Sequence, residues 1–130
     1  MICLDSSFLI DFLRNKKEAV EKISALEESF GISAVSVFEV MLGFYLDNAD
    51  NSKKSEKFKE LVENTEVLNL DLNSAILSSK ISSDLSRKGE KIDELDCLIA
   101  GTMLSNEVNT ILTGDKRHFG RIAMVKVISY

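Results

Sequence analysis

Short aliphatic, β-prone runs alternate with longer amphipathic stretches along this chain, and that alternation constrains its fold more than any other feature. Parallel strands must be joined by long crossovers, usually helical, and the spacing here supplies them. Met1–Asp5, Phe30–Ser33, Val67–Leu70, Thr110–Thr113 and Val125–Ser129 read as strands, the last at an edge. Helices are expected from Ser6 or Ser7 through Arg14, with Phe8, Leu9, Phe12 and Leu13 on one face, and over Lys16–Ser29, Val35–Asp47 and Asn51–Glu63. A further helix, capped by Asp71, runs to about Arg87 with Gly89 as its left-handed terminator, and another covers Asp93–Asn106. The expected class is therefore α/β: an α/β/α sandwich around a central, mainly parallel sheet of about five strands. Proline is absent and there are six glycines, so no linker divides residues 1–130, which read as one domain.

No apolar run reaches the roughly 20 residues that span a bilayer, and the N-terminus lacks a basic leader, so a cytoplasmic protein is expected. Cys3 and Cys97 read as small buried hydrophobes, with no spacing that suggests zinc; a disulfide between them stays open but unsupported. A net charge of −5 argues against nonspecific coating of nucleic acid. Basic residues nevertheless cluster at Lys53–Lys59, at Arg87, Lys88 and Lys91, and at Lys116, Arg117, His118 and Arg121. These clusters read either as solvated surface or, for the last two, as phosphate steering toward the acids they flank.

Four acids, Asp5, Glu39, Asp96 and Asp115, stand where expected strands give way to helices or loops. In a parallel sheet with right-handed crossovers, such positions share one crevice beyond the strand ends. Each acid also has a local explanation. Asp5 suits a helix cap, although Ser6 or Ser7 serves equally well and frees the carboxylate. Ser36-Val37-Phe38-Glu39 fits a capping box, which balances evenly against an outward functional role for Glu39. Asp93, Glu94 and Asp96 complement a helix dipole, and Asp115 suits a turn beside Gly114. The local explanations do not account for four acids at one end of one sheet. Carboxylates that close need a cation, and an all-oxygen set favours Mg²⁺ or Mn²⁺. Hydrolysis of phosphodiesters, RNA above all, is the chemistry this points to.

Read together, these segments resemble the PIN-domain family, and within it the VapC-type toxin ribonucleases of toxin–antitoxin pairs. The hydrophobic run into Asp5-Ser6-Ser7 resembles the family's strand-end Asp-Thr/Ser-Ser. Glu39-Val40-Met41-Leu42-Gly43 is similar to its glutamate, three mostly apolar residues and glycine. Asp96 stands two residues before Leu98-Ile99-Ala100, preceded by the basic-Gly stretch Arg87–Gly89 and Ile92. Thr113-Gly114-Asp115-Lys116-Arg117-His118-Phe119 resembles the Thr-x-Asn/Asp-x-x-His-Phe segment. The order and length hold end to end.

The resemblance implies a metal-dependent endoribonuclease with Asp5, Glu39, Asp96 and Asp115 around one or two Mg²⁺ or Mn²⁺ ions. Asp115 falls where relatives carry Asp or Asn. Asp93 is an accessory candidate, Ser6 and Thr113 are candidate hydrogen-bond partners of a ligating carboxylate, and Arg87, Lys116 and Arg117 are candidate RNA contacts. His118 is expected to hold a loop by a hydrogen bond rather than to act as a general acid. Partners implied are an RNA substrate, a second copy of the chain, and a small antitoxin whose Arg would plug the acids. Most of the apolar surface of Val35–Leu46 should be core, its excess serving one of these interfaces. Two alternatives remain: a receiver-like phosphoacceptor domain using Asp71, and a PIN-like module retained for binding with a site too weak for turnover.

Overall fold

The computed structural model describes residues 1–130. Five three- or four-residue strands, β1 (Ile2–Leu4), β2 (Phe30–Ser33), β3 (Glu66–Leu68), β4 (Thr110–Leu112) and β5 (Lys126–Ile128), form one sheet in the order β3-β2-β1-β4-β5. Every pairing is parallel. Seven helices connect them: α1 (Ser6–Leu13), α2 (Lys17–Ser24), α3 (Ala34–Leu46), α4 (Ser52–Glu63), α5 (Leu72–Arg87), α6 (Glu94–Ser105) and α7 (Lys116–Phe119). The expected α/β/α sandwich and edge position of β5 are both present.

The alternation of side chains along the strands builds two cores. Ile2, Leu4, Ile32 and Leu112 face one side, where they pack with Phe8, Leu9 and Leu13 of α1, Ala19 of α2, Val40 of α3 and Phe58 of α4. Cys3 and Ile111 face the other, with Ile81 and Leu85 of α5 and Ile99, Ala100 and Met103 of α6. Central β1 is covered on both faces, which is why all three of its residues are apolar and fully buried. Both cysteines are free and buried within the second core, with no disulfide. Gly101 lets α5 and α6 touch, since a Cβ there would stand 2.8 Å from the Ser78 backbone nitrogen and 2.9 Å from the Ser74 carbonyl.

Three elements differ from expectation for local reasons. The second helix stops at Ser24 rather than Ser29, because the chain must straighten for the Ser29 carbonyl to accept from Ile2 N–H at 2.9 Å. Strand β3 begins and ends earlier than Val67–Leu70, leaving Leu70 before a capping box in which Asp71 and Ser74 exchange hydrogen bonds. Helix α7 was not expected at all; a single capped turn is too short for a periodic signal. Gly89 does adopt the left-handed conformation, at φ +70.

Helix α3 carries the apolar excess expected of it on one side. Only Val35, Ser36 and Val40 are fully buried, while Phe38, Leu42, Tyr45 and Leu46 form an exposed apolar stripe. Val37, Met41 and Phe44 are partly buried against the first core, while Tyr45 is 79% exposed and Leu46 73%, so the apolar excess lies on this stripe.

Candidate active site

The strand order places a crevice beside β1. From β1 the chain winds outward through β2 to β3, then crosses back to lay β4 against the other side of β1. Connections leaving β1 and β4 therefore diverge, and the space beyond their carboxyl ends is where open α/β sheets bind ligands. Asp5 follows β1, Thr113 follows β4, and α3 and α6 contact each other and bring in Glu39 and Asp96.

Asp5 occupies the cap position of α1 but makes no capping hydrogen bond, so its local explanation fails. Its carboxylate, 4% exposed, instead accepts at Oδ2 from Ser7 Oγ at 2.7 Å and Thr113 Oγ1 at 2.8 Å. Ser6 Oγ donates a longer 3.5 Å contact to Oδ1. Ser7 is the residue sequence reasoning missed: it was visible as a hydroxyl, but only the fold brings Thr113 to it, at 3.0 Å.

Glu39 does not form the capping box either. Ser33 caps α3 through Val35 N–H, leaving Ser36 inside the helix with a buried, unpartnered hydroxyl. Glu39 Oε1 is likewise buried without a hydrogen-bond partner. Burial pushes its carboxyl above the ordinary range; Ser6 opposes this, while Asp5, Asp96 and Asp93 add to it. Asp96 is also raised, by burial first and by Asp5 and Asp93, against a lowering from His118. His118 Nδ1 lies 2.9 Å from Asp96 Oδ2, so the histidine ties α7 to the start of α6 as expected of a loop-holding residue. Charge from Asp5 and Asp96 thus reaches Glu39, and charge from Asp5 reaches Asp96.

Asp115 is placed differently. Its carboxylate caps α7 through Arg117 N–H at 3.0 Å and takes the Arg117 guanidinium at 3.1 and 2.9 Å. Arg117 accordingly holds it far below the usual carboxylate range. The structure therefore brings three of the four expected acids together and turns the fourth onto a neighbouring arginine. Arg117, expected to contact RNA, is engaged by Asp115, and Arg87 pairs with Asp84 at 3.0 Å on the last turn of α5. The Lys116 carbonyl accepts from Gly120 N–H at 2.9 Å, while its side chain has no hydrogen bond or ion pair. Asp93 caps α6 through Leu95 N–H at 2.8 Å, and Glu94 turns away to Ser82. Arg121 donates to the Glu90 and Lys91 carbonyls, fixing the loop that leads to Asp93, a role its place in a charge run concealed.

No three acidic, cysteine or histidine side chains converge into a ready-made cage for an ion. The donor set nevertheless fits a hard divalent cation. All its donors are oxygens, one is orphaned, and Mg²⁺ commonly keeps several waters while using one or two carboxylates and the substrate's phosphate.

An all-parallel α/β/α sandwich with acidic side chains beyond the end of its central strand defines the class of fold. Residues 2–124 match the PIN domain family, and the chain belongs to it. A tRNA(fMet)-specific endonuclease VapC of Salmonella typhimurium is 29% identical over 129 residues, covering 95% of this chain and 93% of the relative. Among solved structures, the DNA-bound VapBC complex of Salmonella typhimurium contains a chain 25% identical with a TM-score of 0.84, covering 99% of this chain and 98% of that one. The Rickettsia felis VapBC2 complex bound to a promoter DNA fragment contains another at 17% identity and TM-score 0.86, covering 100% and 99%, which speaks to the fold. The receiver-like alternative fails on topology as well. Its acceptor strand belongs beside the central strand, whereas Asp71 follows edge strand β3 and caps α5.

Proposed function

We propose that this chain is an endoribonuclease that hydrolyses RNA phosphodiesters with one or two Mg²⁺ or Mn²⁺ ions, and that it is the toxin of a toxin–antitoxin pair. The observation that carries this reading is the crevice of Asp5, Glu39 and Asp96, whose mutual repulsion and orphaned Glu39 oxygen call for a cation. Support comes also from the VapC endonuclease among its relatives and the VapBC complexes among its structural neighbours.

In this mechanism Ser7 and Thr113 hold Asp5 so that Oδ1 stays available to the crevice. His118 orients Asp96, and Glu39 supplies an oxygen with no competing partner. A divalent ion held by Asp5, Glu39 and Asp96 would make a bound water acidic enough to lose its proton near neutral pH and would neutralise charge on the phosphate. Attack by water releases the 3′-oxygen, giving 5′-phosphate and 3′-hydroxyl ends without use of the RNA 2′-hydroxyl. Lys116, free of partners, is the best placed of the expected RNA contacts to meet the backbone. Asp115 acts by shaping the β4–α7 turn, with Arg117 as its partner.

The toxin would act in the cytoplasm, as a homodimer silenced by a small protein. The exposed stripe of Phe38, Leu42, Tyr45 and Leu46 is a contiguous apolar surface suited to such partners. The test of the enzymatic reading is Asp5→Asn, which keeps the oxygen that Ser7 and Thr113 donate to. Cleavage of a labelled RNA should fall at least about 100-fold while the fold persists. Cutting at the wild-type rate by the folded variant would sink the assignment.

A further inference from the structure

The crevice wall extends to a residue with no part in the acidic set. Tyr130, just beyond β5, points its hydroxyl back toward the loop after β4. It donates to Asp11 Oδ2 at 2.8 Å, and its ring meets Phe8 edge-on with centroids 5.8 Å apart. Lys16 completes the cluster, 3.6 Å from the same Asp11 oxygen and 5.8 Å from the Tyr130 ring centroid. Burial, then the charges of Asp11 and Asp5, hold the phenol above its usual range, so it remains a donor.

Gly114 lies against this pair. A Cβ there would stand 2.8 Å from the Tyr130 oxygen and 3.3 Å from Asp11 Oδ2, so the backbone rests directly on them. Gly114 N–H donates to Ser7 Oγ at 3.0 Å. That bond occupies a lone pair of Ser7 and turns its hydrogen to Asp5 Oδ2, 2.7 Å away. Contacts therefore run without a gap from Tyr130 through Gly114 and Ser7 to Asp5.

We propose that Tyr130 and Asp11 form a positioning pair for the active site, setting the Thr113–Asp115 turn so that Gly114 and Ser7 aim the Asp5 carboxylate. The pair touches no substrate and acts only through Asp5, so this inference rests on the endoribonuclease reading. It explains why an aromatic hydroxyl and a partly exposed carboxylate meet beside Gly114, where neither polar group is needed to close the core.

The experiment measures RNA cleavage and its Mg²⁺ dependence in the full chain. Tyr130→Phe keeps the ring on Phe8 and removes only the hydroxyl. Its kcat should fall about 10-fold and its Mg²⁺ midpoint should rise, with KM for RNA unchanged. Asp11→Asn, which still accepts from the phenol, should retain near-wild-type kcat, whereas Asp11→Leu should reproduce the Tyr130→Phe loss. Gly114→Ala should be more damaging in the wild-type background than in Tyr130→Phe, where the atom its Cβ meets is gone. A Tyr130→Phe protein with lowered melting temperature but wild-type kcat and Mg²⁺ midpoint overturns the proposal. If that variant does not fold, equal activity of Asp11→Asn and Asp11→Leu overturns it instead. Asp5→Asn runs alongside: if it still cuts, the endoribonuclease reading itself has failed, and if it is dead while Tyr130→Phe is unaffected, only the positioning role has.

Discussion

Glu39→Gln should make the metal-free protein more stable and the enzyme nearly inactive. In the folded chain Glu39 Oε1 is buried with no hydrogen-bond partner, and its carboxylate faces Asp5, Asp96 and Asp93. Leaving a buried polar atom unsatisfied costs roughly 1–3 kcal/mol, more for a charged group. The side chain as a whole is only half-buried, so solvent screening brings the expected gain on neutralisation to about 1 kcal/mol. For a chain of this size that is a rise in melting temperature of about 4 °C. The pH dependence follows from the raised carboxyl. The folded protein holds the Glu39 proton more tightly than the unfolded chain, whose value is the ordinary 4.5. Stability from this group is therefore full below that value and declines as pH rises through the higher folded value. Wild type and Glu39→Gln should match near pH 4 and separate toward pH 7, in chelator. Adding Mg²⁺ should reverse the order, since an ion at 100 times its dissociation constant stabilises the wild type by about 2.7 kcal/mol and the variant by less. Thermal melts at several pH values, with and without Mg²⁺, give the full comparison. A Glu39→Gln protein less stable than wild type at pH 7 in chelator would refute the reasoning, because it would mean the carboxylate is satisfied within the fold.

Asp115→Asn retains an oxygen for the α7 cap, so RNA cleavage should drop far less than with Asp5→Asn; an equal loss in parallel assays would restore Asp115 to the acidic set. Gly101→Ala should destabilise the fold by about 1–3 kcal/mol, because its Cβ meets backbone atoms of Ser78 and Ser74 that cannot swing away; denaturant melts check this. His118→Ala should leave the fold intact but lower kcat about 10-fold, by freeing Asp96 from the ring nitrogen 2.9 Å away; single-turnover cleavage measures it.

The sheet was legible because its strands are short runs of apolar residues with long helical crossovers, and the pattern of Ile2, Leu4 and Cys3 across two faces follows directly from strand geometry. The place of Asp5 at the end of β1 was legible, since strand ends in a parallel sheet face one way; Glu39 and Asp96 lie inside α3 and α6, and only the contact of those helices sets them near it. The orientation of Asp115 was not legible, since nothing two residues away along the chain reveals that Arg117 will fold back onto it. Which residues carry the apolar excess of α3 was hidden for a related reason: Phe38, Leu42, Tyr45 and Leu46 have the composition of a core, and only the packing of α1 and α4 shows which side stays open. Ser7 meets Thr113, and Tyr130 meets Asp11, across more than 100 residues of sequence, through contacts that no local spacing encodes.

The central claim is that three carboxylates beside β1 cut RNA with a divalent ion. Incubating the purified chain with an end-labelled RNA in Mg²⁺, with and without chelator, and then determining the product ends tests it most directly. Cleavage that requires Mg²⁺ or Mn²⁺ and leaves 5′-phosphate and 3′-hydroxyl ends is the expected result. Cleavage that persists in chelator, or that leaves 2′,3′-cyclic phosphates, would contradict the account.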